Sequence, residues 1–104
     1  MTNPTSKAQQ VWQALGQIPA GKVVSYGQLA ELAGLPGYAR FAGTTLKQLP
    51  QATSLPWHRV VNTAGRISFP ENSPKFLEQK QRLLAEGVLF VNNRIRMQQY
   101  RWQP

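Results

Sequence analysis

The chain has 104 residues, 41% of them hydrophobic, enough for one modest core and too few for two. Twelve Lys and Arg stand against four acids, a net charge of +8 that points to a polyanionic partner, nucleic acid first. There is no cysteine, which excludes disulfides and thiolate metal sites; no apolar run approaches the roughly 20 residues of a membrane helix, so neither a membrane partner nor a secretory leader is expected.

In chain order, Met1 to Thr5 reads as a loose tail. Ser6 with Gln9 makes a capping box, and Ala8, Val11, Trp12 and Leu15 share a helical face until Pro19-Ala20-Gly21 stops the helix. Val23-Val24 is a short extended piece. Ser25 repeats the capping pattern with Gln28 and opens a short helix from about Tyr26 to Ala33, ended by Gly34. After the Leu35-Pro36-Gly37 turn a third helix runs from about Tyr38 to Leu49, where Pro50 closes it. Two short helices joined by a tight Gly-containing turn read as a helix-turn-helix. On the third helix Arg40, Gly43, Thr44 and Lys47 fall on one face, with Tyr38, Ala42, Thr45, Leu46 and Leu49 packing inward. That small, basic outer face suits a DNA groove, and an ordinary solvated face satisfies the same periodicity.

Gln51 to Ser54 is a loop, Trp57 to Val61 reads as extended, and Asn62-Thr63-Ala64-Gly65 turns the chain before Arg66-Ile67-Ser68. Ser73-Pro74 opens a fourth helix, an N-cap with proline at the first helical position. Phe76, Leu77, Lys80, Leu83 and Leu84 give it one largely apolar face, and Gly87 ends it. Val88 to Val91 and Arg94 to Met97 flank Asn92-Asn93 as a final hairpin. The expected architecture is a single α+β domain over residues 1–104, winged-helix-like around its helix-turn-helix.

The densest chemical signal is Leu55-Pro56-Trp57-His58-Arg59-Val60. It resembles the active-site motif of the O6-alkylguanine-DNA alkyltransferases, Pro-Cys-His-Arg-Val, with Trp57 in the place of the nucleophilic cysteine. Two further stretches carry the resemblance: Tyr26-Gly27-Gln28-Leu29-Ala30, and Gly34-Leu35-Pro36-Gly37-Tyr38-Ala39-Arg40. The separation of Arg40 from Trp57 equals the family's spacing from arginine to cysteine, and the likeness runs from about Val11 to Val88. Two departures stand out. Leu49-Pro50 replaces the family's Asn-Pro, and the 66–72 loop lacks its small-residue pattern.

The chain is thereby identified as a member of the alkyltransferase-like proteins, relatives that bind the damaged base without repairing it. The resemblance implies a partner, double-stranded DNA containing O6-alkylguanine, approached through the minor groove by a monomer. Arg40 would be the finger that fills the space of the extruded nucleotide. Tyr26 would border the base pocket, and Trp57 would wall it or plug it. The implied binding surface is Tyr26, Tyr38, Ala39, Arg40, Gly43, Thr44, Lys47, Pro56, Trp57, Arg59 and Val60. His58 and Glu86, acid–base partners in the transferases, would remain as a buried structural pair. Nucleotide excision repair proteins would be the partners summoned, in a bacterial cytoplasm or a eukaryotic nucleus.

Chemistry supports the loss of activity independently. Displacement at the carbon on O6 needs a soft nucleophile such as a thiolate, and an indole N–H only donates. No enzyme activity and no cofactor are expected. A lone histidine lacks the companions of a metal site. The rival readings are a sequence-specific helix-turn-helix transcription regulator, which would ignore alkylation, and a residual hydrolase using His58 and Glu86 on a water.

Overall fold

A computed structural model describes residues 6–104; the tail expected at Met1 to Thr5 lies outside them. Three helices begin where serine caps predict. Ser6 Oγ accepts from the Gln9 amide while the Gln9 side chain accepts from the Ser6 amide, closing the capping box that opens α1 (Lys7–Leu15). Ser25 Oγ accepts from the Gln28 amide and opens α2 (Tyr26–Leu32). Here the box is only half made, because the Gln28 side-chain amide donates instead to the Trp102 carbonyl. Ser73 caps α4 (Pro74–Ala85) with Pro74 in the first turn. α3 (Ala39–Lys47) has no side-chain cap at Tyr38.

The turn of the helix-turn-helix is set by backbone bonds. Gly34, at φ 79°, donates to the Glu31 carbonyl, and Leu35 donates to Ala30. This left-handed ending is one that glycine adopts without Cβ strain. α4 ends the same way. Gly87, at φ 87°, bonds back to Leu84, and Val88 bonds back to Leu83. Val88 and Leu83 also pack together in the core. The effect is to fix Glu86 as the last residue before the chain reverses.

β1 (Val24–Ser25) pairs in parallel with β2 (Val60–Val61), Val24 opposite Val60 and Ser25 opposite Val61. Alternation along this pair divides the interior. Val24 and Val60 face one buried cluster, which gathers α1, α2 and α3. Val23 and Val61 face a second, built with Leu83, Val88, Ile95 and Tyr100. Each fully buried Val or Leu contributes on the order of 1.5–3 kcal/mol by leaving water, so the two strands tie both halves together.

The final hairpin forms as β3 (Phe90–Val91) against β4 (Arg94–Ile95), with Asn92 and Asn93 both at positive φ in the two-residue turn. A short α5 (Met97–Tyr100), not expected from the sequence, then returns the chain to β1, where the Val23 amide donates to Tyr100 and the Trp102 amide to Val23.

Three expectations need correction. The Trp57–Val61 stretch is extended only at Val60 and Val61; Trp57–Arg59 is a 3-10 turn closed by the Val60 amide on the Trp57 carbonyl. The buried stripe of α4 is Phe76, Gln79 and Leu83, whereas Leu77 and Leu84 are exposed. Tyr38 does not pack inward. It lies exposed at the start of α3, its ring edge-on to Phe41 at 6.0 Å and beneath the Lys7 ammonium.

Candidate nucleic-acid interface

The 3-10 turn determines what the Trp57-His58-Arg59 triplet can do. In a strand Trp57 and Arg59 would share a side and His58 would oppose them. In a 3-10 turn three successive side chains fan out around the axis. Trp57 goes to a cavity, and both His58 and Arg59 go to Glu86.

His58 is buried, its Nε2 2.8 Å from Glu86 Oε2. Arg59 reaches the same carboxylate, from Nε at 3.0 Å and from Nη2 at 2.6 Å, and its Nη1 donates to the Ile18 carbonyl at 2.7 Å. The Gly21 amide adds a donor at 3.3 Å. Arg59, expected at the DNA surface, is therefore spent inside the fold, because its fork matches a carboxylate held at the end of α4. Gln79 completes the assembly. Fully buried, its Nε2 donates to the carbonyls of His58 and Val60, fastening α4 to the motif backbone.

Electrostatics follow from that geometry. Burial, the largest influence on Glu86, would raise its pKa. The hydrogen bonds from Arg59, His58 and the Gly21 amide outweigh it and hold the carboxyl at about 2. Without these donors an acid at a helix C-terminus would face the negative end of the dipole. Burial lowers the His58 pKa by more than its bond to Glu86 raises it, so at neutral pH the imidazole is uncharged and Nε2–H donates to the carboxylate. The expected His58–Glu86 pair is present, enlarged by Arg59.

On the other side of the turn lies a cavity of about 800 Å³, in the size range of small-ligand sites. One wall is the outer face of α3, with Ala39, Arg40, Gly43, Thr44 and Lys47; another is Trp57 with Val60, and Tyr26 stands between α2 and α3. The Tyr26 ring lies beside Gly43, where a Cβ would meet the ring edge at 3.6 Å, an ordinary van der Waals contact. The indole is a wall and not a plug: it is half-buried beside open space, edge-on to His58 and to Phe69 with centroids 6.2 Å apart in each case. Of the sequence candidates, Tyr38, Pro56, Arg59 and the His58–Glu86 pair do not line this cavity.

Sequence reasoning missed other cavity residues, among them Phe69 on the 66–72 loop, and Lys75 and Gln79 on α4. Gln79 carried a signal, a polar residue on an otherwise apolar stripe between Phe76 and Leu83. The loop is positioned by Gly65, at φ 80°, where a Cβ would stand 2.2 Å from the Ile95 carbonyl oxygen. Only glycine fits that approach.

The chain matches the family model described as 6-O-methylguanine DNA methyltransferase, DNA binding domain, over residues 6–88. The chain belongs to this methyltransferase family. Within the family it is similar to the DNA base-flipping protein of Escherichia coli, 48% identical over 98% of this chain and 78% of the relative. It is 39% identical to Alkyltransferase-like protein 1 of Schizosaccharomyces pombe, covering 91% and 93% of the two chains. The crystal structure of S. pombe Atl1 in complex with damaged DNA containing O6-carboxymethylguanine superposes with a TM-score of 0.87, at 36% identity over 99% of this chain and 100% of that one. The methyltransferase of Mycobacterium tuberculosis in complex with DNA gives 0.69, at 33% identity over 81% of this chain and 51% of its own. This chain is thus an alkyltransferase-like member of the methyltransferase family, sharing its DNA-binding fold.

Proposed function

We propose that this chain is a non-enzymatic sensor of O6-alkylguanine in duplex DNA. The observation that carries the reading is the cavity itself. A helix bearing Arg40, which has no ion pair among the described residues, stands on one side, and Trp57, which the motif's resemblance puts in the nucleophile's place, stands on another. In this reading a monomer meets the minor groove with α3. The damaged guanine turns out of the stack, and Arg40 takes its place. Extruding a base costs a few kcal/mol of stacking and pairing. A planar guanidinium offsets part of this by stacking on the neighbouring bases.

Trp57 and Tyr26 then hold the base. Each aromatic contact with a base is worth about 1–3 kcal/mol, and the alkyl group adds apolar area against the indole. No thiol exists to accept the alkyl group. The neutral His58, its Nε2–H bound to Glu86, braces the site. Because the lesion stays, its value lies in summoning other machinery, for which nucleotide excision repair is our candidate. The names and DNA complexes of the similar proteins support base capture.

Two duplexes differing only by one O6-methyl group test this at a stated salt concentration. The expected result is at least tenfold tighter binding of the methylated duplex, with the methyl group still on the DNA after incubation with excess protein. Equal affinities would leave a sequence-reading regulator, and loss of the methyl group would reinstate an enzyme.

A further inference from the structure

Two cations lie over the Trp57 indole, the Lys75 ammonium 4.7 Å from the ring centroid and the Arg82 guanidinium 5.5 Å from it. One carboxylate, Glu78, serves both unequally, at 2.8 Å from Arg82 and 3.6 Å from Lys75. At that separation Lys75 makes no hydrogen bond to it, so two cations against one carboxylate leave positive charge unbalanced at the ring. Lys75 also lines the cavity, as Arg40 and Lys47 do, and none of the chain's four glutamates does. Arg40 and Lys47 belong to α3, the helix assigned above to the DNA groove. Lys75 comes from α4, on the Trp57 wall.

We infer that Lys75 is a specificity-determining residue. Its ammonium recognises a carboxylate at the end of an O6 substituent, so carboxylated O6-alkylguanines are held more tightly than neutral ones of similar size. The inference rests on the reading that a flipped O6-alkylguanine occupies this cavity. A neutral alkyl group offers the indole only dispersion and buried area. A carboxylate adds a charge-assisted hydrogen bond, stronger than a neutral one. The indole face keeps the ammonium in place. Its loose, half-exposed contact with Glu78 costs little to give up. Arg82, anchored by Glu78, adds to the same field.

The test compares three duplexes of one sequence, carrying guanine, O6-propylguanine or O6-carboxymethylguanine, with the unaltered chain, Lys75→Met and Lys75→Arg. The unaltered chain is expected to prefer the carboxymethyl over the propyl lesion by about tenfold. Lys75→Arg should keep most of that ratio, and Lys75→Met should bring it to one or below. Loss of a cation near phosphates weakens both duplexes alike and cancels in the ratio. Two results overturn the inference alone: no charge preference in the unaltered chain, or an unchanged ratio in Lys75→Met, which would make Lys75 only a brace for Trp57. If neither lesion outbinds plain guanine, base capture itself has failed and the inference falls with it.

Discussion

Trp57 and Arg59 are two residues apart, yet they belong to regions built on opposite principles. Around Glu86 most donors and acceptors are matched: one carboxylate receives His58, Arg59 and a backbone amide, Gln79 answers two carbonyls, and His58 Nδ1 alone is buried without a partner among the described residues. Around Trp57 little is matched. Arg40 and Lys47 have no ion pair among the described residues, Lys75 has only a distant one, and the space beside the indole is open. The brace spends its polar groups inside the chain, while the rim keeps its own for something else. One short motif serves both because a 3-10 turn sends its side chains apart.

The sharpest way to break this division is to damage the brace. Removing one partner of a buried ion pair costs about 3–5 kcal/mol. Because Glu86 keeps some exposure, Glu86→Gln should cost about 2–3 kcal/mol in urea denaturation at neutral pH. Its pH dependence should change as well. The Glu86 carboxylate, depressed from 4.5 to about 2, contributes stability that is complete above pH 4.5 and lost as pH falls toward 2. His58, lowered below 6.5, acts in the same direction: beneath pH 6.5 the unfolded chain takes a proton that the folded chain refuses. The variant should lose the 4.5-to-2 component and keep the one that starts below 6.5. An unchanged acid profile would mean that the network contributes nothing.

Changes at the rim should spare stability and alter binding. Arg40→Ala is expected to weaken the O6-methyl duplex by about fiftyfold and the plain duplex far less, since only the flipped complex needs the finger. A uniform loss would show that Arg40 merely meets phosphates. Smallest of all, Lys47→Ala should weaken every duplex by roughly threefold and reduce the salt slope by about one. Selective loss of the lesion duplex in that variant would exchange the two roles.

Much of the frame was legible because local rules decide it. Serine caps at Ser6, Ser25 and Ser73, glycines past the helix ends and the Asn92-Asn93 turn depend on a few neighbouring residues. Family likeness brought Tyr26, Arg40 and Trp57 to one cavity. What escaped depended on distant contacts. Val60 and Val61 suggested that the whole Trp57–Val61 stretch was extended, but the pull of Glu86 on two adjacent side chains favours the tighter turn. Leu77 and Leu84 looked inward until Gln79, bonded to two carbonyls of the motif, claimed the buried stripe. Lys75 and Phe69 gave no periodic signal, since they border the cavity only once α4 and the 66–72 loop are packed.

The brace also contains its own spectroscopic reporter. His58 is the chain's one histidine, and its Nε2 faces a carboxylate that can only accept, which fixes the tautomer with the proton on that nitrogen. A nitrogen-15 spectrum of the imidazole therefore needs no assignment. One pair of ring resonances, followed as DNA is added, would tell whether strain at the surface travels through the turn to the interior or stops at the indole.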